Sequence, residues 1–294
     1  MASPTLPPAQ PELLGIRDPA LRPHPGASAS ERLDLLRREL VGLSRVVVAY
    51  SGGVDSSVLL AVAHEQLGPR ALGVIGVSDS YAASELDAAL AQAEQLHARV
   101  ETVTTGELVD PAFASNPTDR CYHCKRELYD RLARVAEREG GAVVVDGTIA
   151  DDLADWRPGR RAAAERSVRS PLAELGFTKA DVRAAADALG LASAGKPSSP
   201  CLASRIPYGT RITRENLSQV ERGEALLREL GFDSLRLRHH GEVARIEVPL
   251  ARIGQLTAEG VRERLVAGLK SLGFRFVALD LEGLRSGSLN PPMG

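Results

Sequence analysis

Apolar and polar positions along this chain change rhythm repeatedly, and the rhythm predicts an alternation of strands and helices. From Glu31, Leu33, Leu36, Leu40 and Val41 recur at helical spacing, with Ser30 placed to cap a helix that runs to about Leu43. The unbroken run Val46–Tyr50 reads as a buried strand, and a helix follows to about Leu67. Residues Ala71–Ser78, Val100–Thr104 and Gly141–Gly147 read as further strands. Between and after them, Glu85–Leu96, Arg126–Glu139 and Lys179–Leu189 read as helices. Continuous apolar strands alternating with helices predict an α/β fold whose parallel sheet is covered on both faces. Ligands in such sheets sit at the carboxyl ends of strands, where Ser51, Ser78 and Asp146-Gly147-Thr148 fall.

The rhythm shifts near Gly195-Lys196-Pro197-Ser198-Ser199-Pro200, which looks like a linker. Beyond it the pattern predicts a helix over about Thr213–Leu230, a strand pair within Leu235–Val248, a helix over about Leu250–Leu272 and a strand over Arg275–Leu281. The expected organisation is a parallel-sheet domain over 30–195 and a smaller α+β domain over 196–294. Leu230-Gly231-Phe232 and Leu272-Gly273-Phe274 each end a helix before a strand, either as related units or simply through shared helix-stop chemistry. Residues 1–29 are rich in Pro, Ala and Ser, without the apolar run of an export signal, and read as a disordered tail.

With 36 basic and 38 acidic residues, the formal net charge of −2 supplies no field for nucleic acid. No apolar run approaches a membrane span. Three cysteines, an odd number without an export signal, favour a reduced, cytoplasmic setting over a disulfide framework.

The richest chemistry lies in Tyr50-Ser51-Gly52-Gly53-Val54-Asp55-Ser56-Ser57, where a strand turns into a helix. Paired glycines let successive N–H groups converge on an anion, and the helix start adds unpaired N–H groups and the positive end of its dipole. Ser51, Ser56 and Ser57 can donate to phosphate, and Asp55 could hold a Mg²⁺ that bridges phosphate oxygens. There is no Walker-type Gly-Lys-Ser/Thr ending. The stretch resembles the pyrophosphate loop of the ATP pyrophosphatases, a likeness that implies cleavage of ATP between the α and β phosphates. The loop after the second strand, at Ser78, is then expected to meet adenine through backbone groups.

Cys121-Tyr122-His123-Cys124-Lys125 lies just before a predicted helix, and Cys201 lies 77 positions after Cys124. Three thiolates suit a [4Fe–4S] cluster with one iron open, whereas zinc usually asks for four ligands. The other reading makes Cys121 and Cys124 a peripheral zinc or redox pair and leaves Cys201 to act alone. Prolines flank Cys201, and Arg205 four residues on could stabilise a thiolate or position an anion. In Asp146–Arg161, Asp151 or Asp152 joins Asp55 around Mg²⁺ or caps the next turn, and Arg160 and Arg161 contact substrate phosphate or line a solvated face. Alternation puts Arg236 and Arg238 on one side of a strand, a phosphate fork or a solvated face. His239 and His240 point opposite ways, so metal ligation by both is disfavoured.

Together, Ser51–Ser57, Cys121–Lys125, Gly159–Ala163, Arg169–Leu172, Lys196-Pro197, Pro200–Gly209 and Arg236–Val248 resemble the LarE family. These are ATP-dependent sulfur transferases that make the nickel-pincer nucleotide cofactor of lactate racemase. The resemblance runs from about Ser30 to Glu282. It implies an ATP pyrophosphatase domain that holds ATP through Ser51, Gly52, Gly53, Asp55, Ser56, Ser78 and Gly147. It further implies adenylation of pyridinium-3,5-biscarboxylic acid mononucleotide and displacement of AMP by sulfur, twice, to a bis-thiocarboxylate. Arg205, Arg236, Arg238 and Glu247 become substrate-site residues, and Cys121, Cys124 and Cys201 carry sulfur on an iron–sulfur cluster fed by a small sulfur donor. In other members a single cysteine is sacrificed, which leaves Cys201 as a competing donor. A homo-oligomer is also implied. An adenylating amidotransferase or tRNA thiolase is the alternative enzyme, and a nucleotide-sensing or iron-storage module the non-catalytic one.

Overall fold

A computed structural model describes His24, residues 26–153, 158–196, 199–285 and Leu289. Most of the Pro-rich tail, the Pro197-Ser198 step of the expected linker and Ala154–Arg157 of the acid–arginine tract lie outside the described residues. The chain divides into two compact units that alternate in sequence. One comprises 1–76, 88–103 and 128–196; the other comprises 77–87, 104–127 and 197–294.

The first unit is built on strands β1 (Val46–Ala49), β2 (Ala71–Val77), β3 (Val100–Thr104) and β4 (Val143–Val145), in the order β3-β2-β1-β4. β1 pairs in parallel with both β2 and β4. Its four residues are all buried, which is why the run is apolar without alternation. Helix α1 (Ala29–Leu43) is capped by Ser28, not by Ser30, through a reciprocal box with Glu31. Leu33, Leu36 and Leu40 are buried as expected, but Val41 is exposed, and Glu39 is buried because Arg169 pairs with it at 2.8 Å. Helix α2 (Val54–Leu67) is buried on nearly every side, so its composition lacks an amphipathic stripe.

Helix α3 (Ala83–Gln95) and the short α4 (Pro111–Ala114) precede α5 (Arg120–Arg138). α5 begins six residues before the predicted Arg126. Cys121-Tyr122-His123-Cys124 contains no helix breaker, and Arg120 and Tyr122 already donate to the carbonyls of Pro117 and Asp119. The cysteine pair therefore lies within the helix, one turn apart on one face, and not in a preceding loop. Helices α6 (Gly159–Glu165), α7 (Pro171–Glu174) and α8 (Lys179–Ala188) complete this stretch.

In the second unit α9 (Arg214–Glu229) is capped by Thr213 and Asn216 and packs with a mixed sheet. β5 (Arg236–His240) and β6 (Val243–Glu247) form an antiparallel hairpin around Gly241, and β7 (Phe276–Leu279) pairs in parallel with β6. The predicted helix over Leu250–Leu272 is broken into α10 (Ile253–Leu256) and α11 (Val261–Ser271). Gly260, at φ +81°, supplies the left-handed turn between them. Phe232 and Phe274, each following a helix-ending glycine, bury into the same apolar cluster with Leu237, Ile246 and Leu269.

Candidate active site

The order β3-β2-β1-β4 places a topological switch between β1 and β4, the crevice where open parallel sheets take ligands. Ser51–Gly53 leaves β1 there, and Asp146-Gly147-Thr148 leaves β4. The two turns approach so closely that a Cβ on Gly147 would lie 2.8 Å from the Ser56 nitrogen. A Cβ on Gly52, which sits at φ +66°, would lie 2.6 Å from the Ala89 Cβ. Both glycines answer to backbone geometry that a side chain would spoil.

Gly53 caps α2 without a side-chain acceptor, so the first N–H groups of α2 have no side-chain cap. Ser56 Oγ donates to Gly53 O at 3.0 Å and accepts from Ser51 N at 3.2 Å, holding the turn in shape. Asp146 fixes the opposite turn: it accepts from Tyr129 OH and Ser170 Oγ, each at 2.7 Å, and from Thr148 N. Such a turn at a helix N-terminus binds anions, phosphate above all.

Asp55, the expected Mg²⁺ ligand, is engaged by a residue that sequence reasoning did not single out. Lys179 Nζ donates to both of its carboxylate oxygens at 2.8 Å. Asp151 accepts from Lys179 N at the start of α8, and Asp152 accepts from Ile149 N, so both act as backbone caps here. Arg160 donates to Leu153 O, and Arg161 pairs with Glu165 one turn on; both are exposed on α6.

The second unit holds the cysteines. Cys121 and Cys201 are exposed, Cys124 packs against an apolar cluster that includes Phe113, Leu202 and Ile206, and no disulfide joins them. Burial first, then the charges of Glu107, Cys201 and Cys121, push the Cys124 thiol well above the usual cysteine range, with Lys125 opposing. Cys121 and Cys201 thus each lie within electrostatic range of Cys124. Among the described residues no three His, Cys, Asp or Glu side chains are gathered tightly enough to hold a metal. Glu107, also unforeseen, is 3% exposed and accepts from Ser78 Oγ at 2.5 Å and Ser80 Oγ at 2.7 Å. The Ser78 hydroxyl is therefore committed to this carboxylate.

Arg205 is buried and holds the Cys201 loop: it donates to Pro200 O at 2.6 Å and to Ser204 Oγ at 2.9 Å, and pairs with Glu224 at 2.8 Å. Arg238 donates to Ser204 O and to the fully buried Glu247, both at 2.9 Å, and Glu247 also accepts from Arg245. Arg236 reaches only the Arg285 carbonyl, at 3.4 Å, among its hydrogen bonds described. Burial, then the neighbouring Arg205 and Arg238, lower its guanidinium pKa. Three arginines therefore converge beside the Cys201 loop, with Glu224 and Glu247 offsetting part of their charge. Guanidiniums so placed are chemically suited to a phosphate or carboxylate. Glu224 is a further residue missed from the sequence. Its only local signal is Arg228 four positions on, with which it also pairs.

A family model described as asparagine synthase matches residues 34–239, and so spans the phosphate loop, all three cysteines and the paired arginines. Pyridinium-3,5-bisthiocarboxylic acid mononucleotide synthase of Lactiplantibacillus plantarum is 43% identical over 85% of this chain and 91% of its own length. The chain belongs to the LarE family. An uncharacterized protein of Synechocystis sp. is 45% identical over 88% of the chain and 97% of its own length. Another, of Methanocaldococcus jannaschii, is 30% identical over 82% and 91% respectively. Membership in the LarE family makes the chain an ATP-dependent sulfurtransferase with an ATP pyrophosphatase domain, as the resemblance implied, and its sheet is the parallel α/β one expected from the strand–helix rhythm. No helix among the described residues is long and apolar enough to cross a membrane.

Proposed function

We propose that this chain sulfurates both carboxylates of pyridinium-3,5-biscarboxylic acid mononucleotide, in two rounds, for nickel-pincer cofactor synthesis. The observation that carries the reading is the convergence of Arg205, Arg236 and Arg238 beside the Cys201 loop, within the unit that also carries Cys121 and Cys124. A substrate with a phosphate and two carboxylates needs such cationic partners next to a sulfur carrier.

Ser51, Gly52, Gly53, Ser56 and Gly147 seat the ATP phosphates, the backbone at Ser78 meets adenine, and Asp55 would hold a Mg²⁺ that offsets phosphate charge. A substrate carboxylate oxygen bonds to the α-phosphorus, and the bond from that phosphorus to the β-bridging oxygen breaks, so pyrophosphate leaves with the electron pair. Sulfide then bonds to the acyl carbon, AMP leaves with the C–O pair, and one proton goes to solvent. Arg236, the guanidinium with the fewest protein partners, takes the substrate phosphate. Arg205 and Arg238 hold the loop and strand around it, and Glu247 accepts from Arg238. The protein acts in the cytoplasm as a homo-oligomer and takes sulfur from a small donor.

The donor set fits an iron–sulfur group in kind: three thiols, two of them exposed, with Cys124 in electrostatic range of the other two. Cys121, Cys124 and Cys201 would hold it. Such a group would supply exogenous sulfide for transfer to the acyl carbon. The exposure of Cys201 supports a second reading, in which Cys201 itself gives up its sulfur.

Mass spectrometry after turnover with substrate, ATP and Mg²⁺ separates the two. Intact cysteines together with anaerobic iron–sulfur absorbance, lost in Cys121→Ala, Cys124→Ala or Cys201→Ala, are the expected result. A Cys201 lighter by one H₂S assigns it as the donor. Failure to release pyrophosphate with this substrate would overturn the proposal as a whole.

A further inference from the structure

Asn116, just ahead of Cys121, is fully buried and sits at φ +56°, a left-handed conformation that asparagine tolerates better than most residues. Its amide nitrogen donates to Ile206 O at 3.2 Å and to Pro207 O at 2.8 Å, and its Oδ1 accepts from Arg120 Nη1 at 2.7 Å. Its own carbonyl accepts from Gly209 N at 2.9 Å, and the Ala114 carbonyl accepts from Ile212 N at 2.8 Å. Arg120, itself buried, lays its guanidinium 4.6 Å from the centre of the Tyr208 ring. Residues 206–213 form neither helix nor strand, so no backbone ladder places them, and these bonds do. A buried amide with its hydrogen bonds made is costly to disturb, which makes the junction a clamp. The clamp joins the two segments that carry the cysteines, all within the second unit. Arg120 is followed by Cys121, with Cys124 one turn further along α5. Ile206 follows Arg205, which holds the Pro200 carbonyl next to Cys201. Ile206 and Ile212 also belong to the apolar cluster against which Cys124 packs.

We propose that Asn116 is a positioning residue of sulfur transfer, supported by Arg120 and Tyr208, and that it fixes the spacing between Cys201 and the Cys121–Cys124 turn. The acyl adenylate is open to water as well as to sulfur. Attack by water returns the carboxylate, and AMP leaves without product. Sulfur wins that competition only when it is held at the acyl carbon, and a misplacement of about 1 Å costs on the order of 100-fold. The clamp itself adds no group to the reaction and moves no proton. The proposal rests on reading Cys201 as a member of the sulfur-transfer site, and it holds for either route by which the sulfur arrives.

The test compares the full-length wild type with Asn116→Gly, which keeps the left-handed backbone and removes the amide. The ratio of thiocarboxylate formed to pyrophosphate released is expected to fall on the order of 100-fold, the remaining adenylate being lost to water. A merely structural asparagine would lower both products together and leave their ratio alone. A ratio within about twofold of wild type overturns the proposal. Independently of activity, nitroxide labels on the exposed Cys121 and Cys201, in a Cys124→Ser background, report the distance between the two segments. A single narrow distribution that broadens in Asn116→Gly is expected, and equal widths overturn the proposal. A wild type that makes no thiocarboxylate defeats the functional reading alone, and the label distances still decide the clamp. If Asn116→Gly does not fold, Tyr208→Leu removes only the stacked ring and takes both measurements. A smaller fall in the ratio and a slighter broadening are then expected, and no change in either refutes the role.

Discussion

The phosphate loop and the cysteine–arginine region build their sites from different materials. In the loop, main-chain atoms lead: Gly52, Gly53 and the start of α2 present N–H groups, and Gly147 clears space for the turn to close. In the second region side chains lead. Arg205 and Arg238 are buried with Glu224 and Glu247, and their forks hold backbone carbonyls of the Cys201 loop. A main-chain site is compact in sequence because neighbouring residues supply its donors. A side-chain site draws its parts from 201–205, 224 and 236–247, and exists only when the chain folds. The first should therefore fail through added atoms, the second through removed charge.

The largest effect tests that contrast at Arg238. Arg238→Met leaves Glu247, which is fully buried, short of a partner, and removal of one member of a buried pair costs about 3–5 kcal/mol. Urea unfolding measures the loss; a value under about 1 kcal/mol would mean that Arg245 alone compensates Glu247. Next, Gly52→Ala places a Cβ against Ala89 in a left-handed conformation. It is expected to cut ATP-dependent pyrophosphate formation on the order of 100-fold with cysteine chemistry intact. Near-normal turnover would show that the loop tolerates the atom and that the contrast is overdrawn. A smaller change is expected for Arg236→Gln, whose guanidinium makes few protein hydrogen bonds. KM for the mononucleotide should rise about tenfold with stability within about 0.5 kcal/mol. A large stability loss with unchanged KM would make Arg236 structural, like Arg238.

The smallest effect is a pH dependence confined to the second unit. Burial lowers the pKa of His239 and of His240, aided for His240 by Arg245, His239 and Arg238. Both are held neutral in the fold. Their contribution to stability is complete above the ordinary histidine value of 6.5 and is lost as pH falls below it. The thermal midpoint should therefore drop between pH 7 and pH 5, and His239→Gln should flatten part of that slope. A midpoint insensitive to pH over this range would contradict it.

Several features were legible because they are local. β1 and the turn after it read correctly from an apolar run meeting Ser-Gly-Gly, and Gly231 and Gly273 end their helices as the residue type suggests. Other features misled for equally local reasons. Ser28 and Ser30 both suit a cap, and only the register of Glu31 against Ser28 decides between them. The Cys-x-x-Cys pattern suggested a loop, yet its residues permit helix, and α5 takes them in. Val41 continued an apolar spacing without reaching the core.

By itself the sequence determined the alternating α/β architecture, the phosphate loop and, through its family resemblance, the class of chemistry. Strand periodicity, glycine pairing and helix starts are short-range properties, and they survive in a linear text. Only the tertiary structure decided that Lys179 faces Asp55, that Glu107 gathers Ser78 and Ser80, and that Glu224 and Glu247 anchor the arginines. Those pairings join residues up to 124 positions apart. Apart from the partly exposed Lys179–Asp55 pair, their partners are chosen by burial, which makes an unpaired polar or charged group costly, and burial is a property of the fold that no short stretch of residues carries.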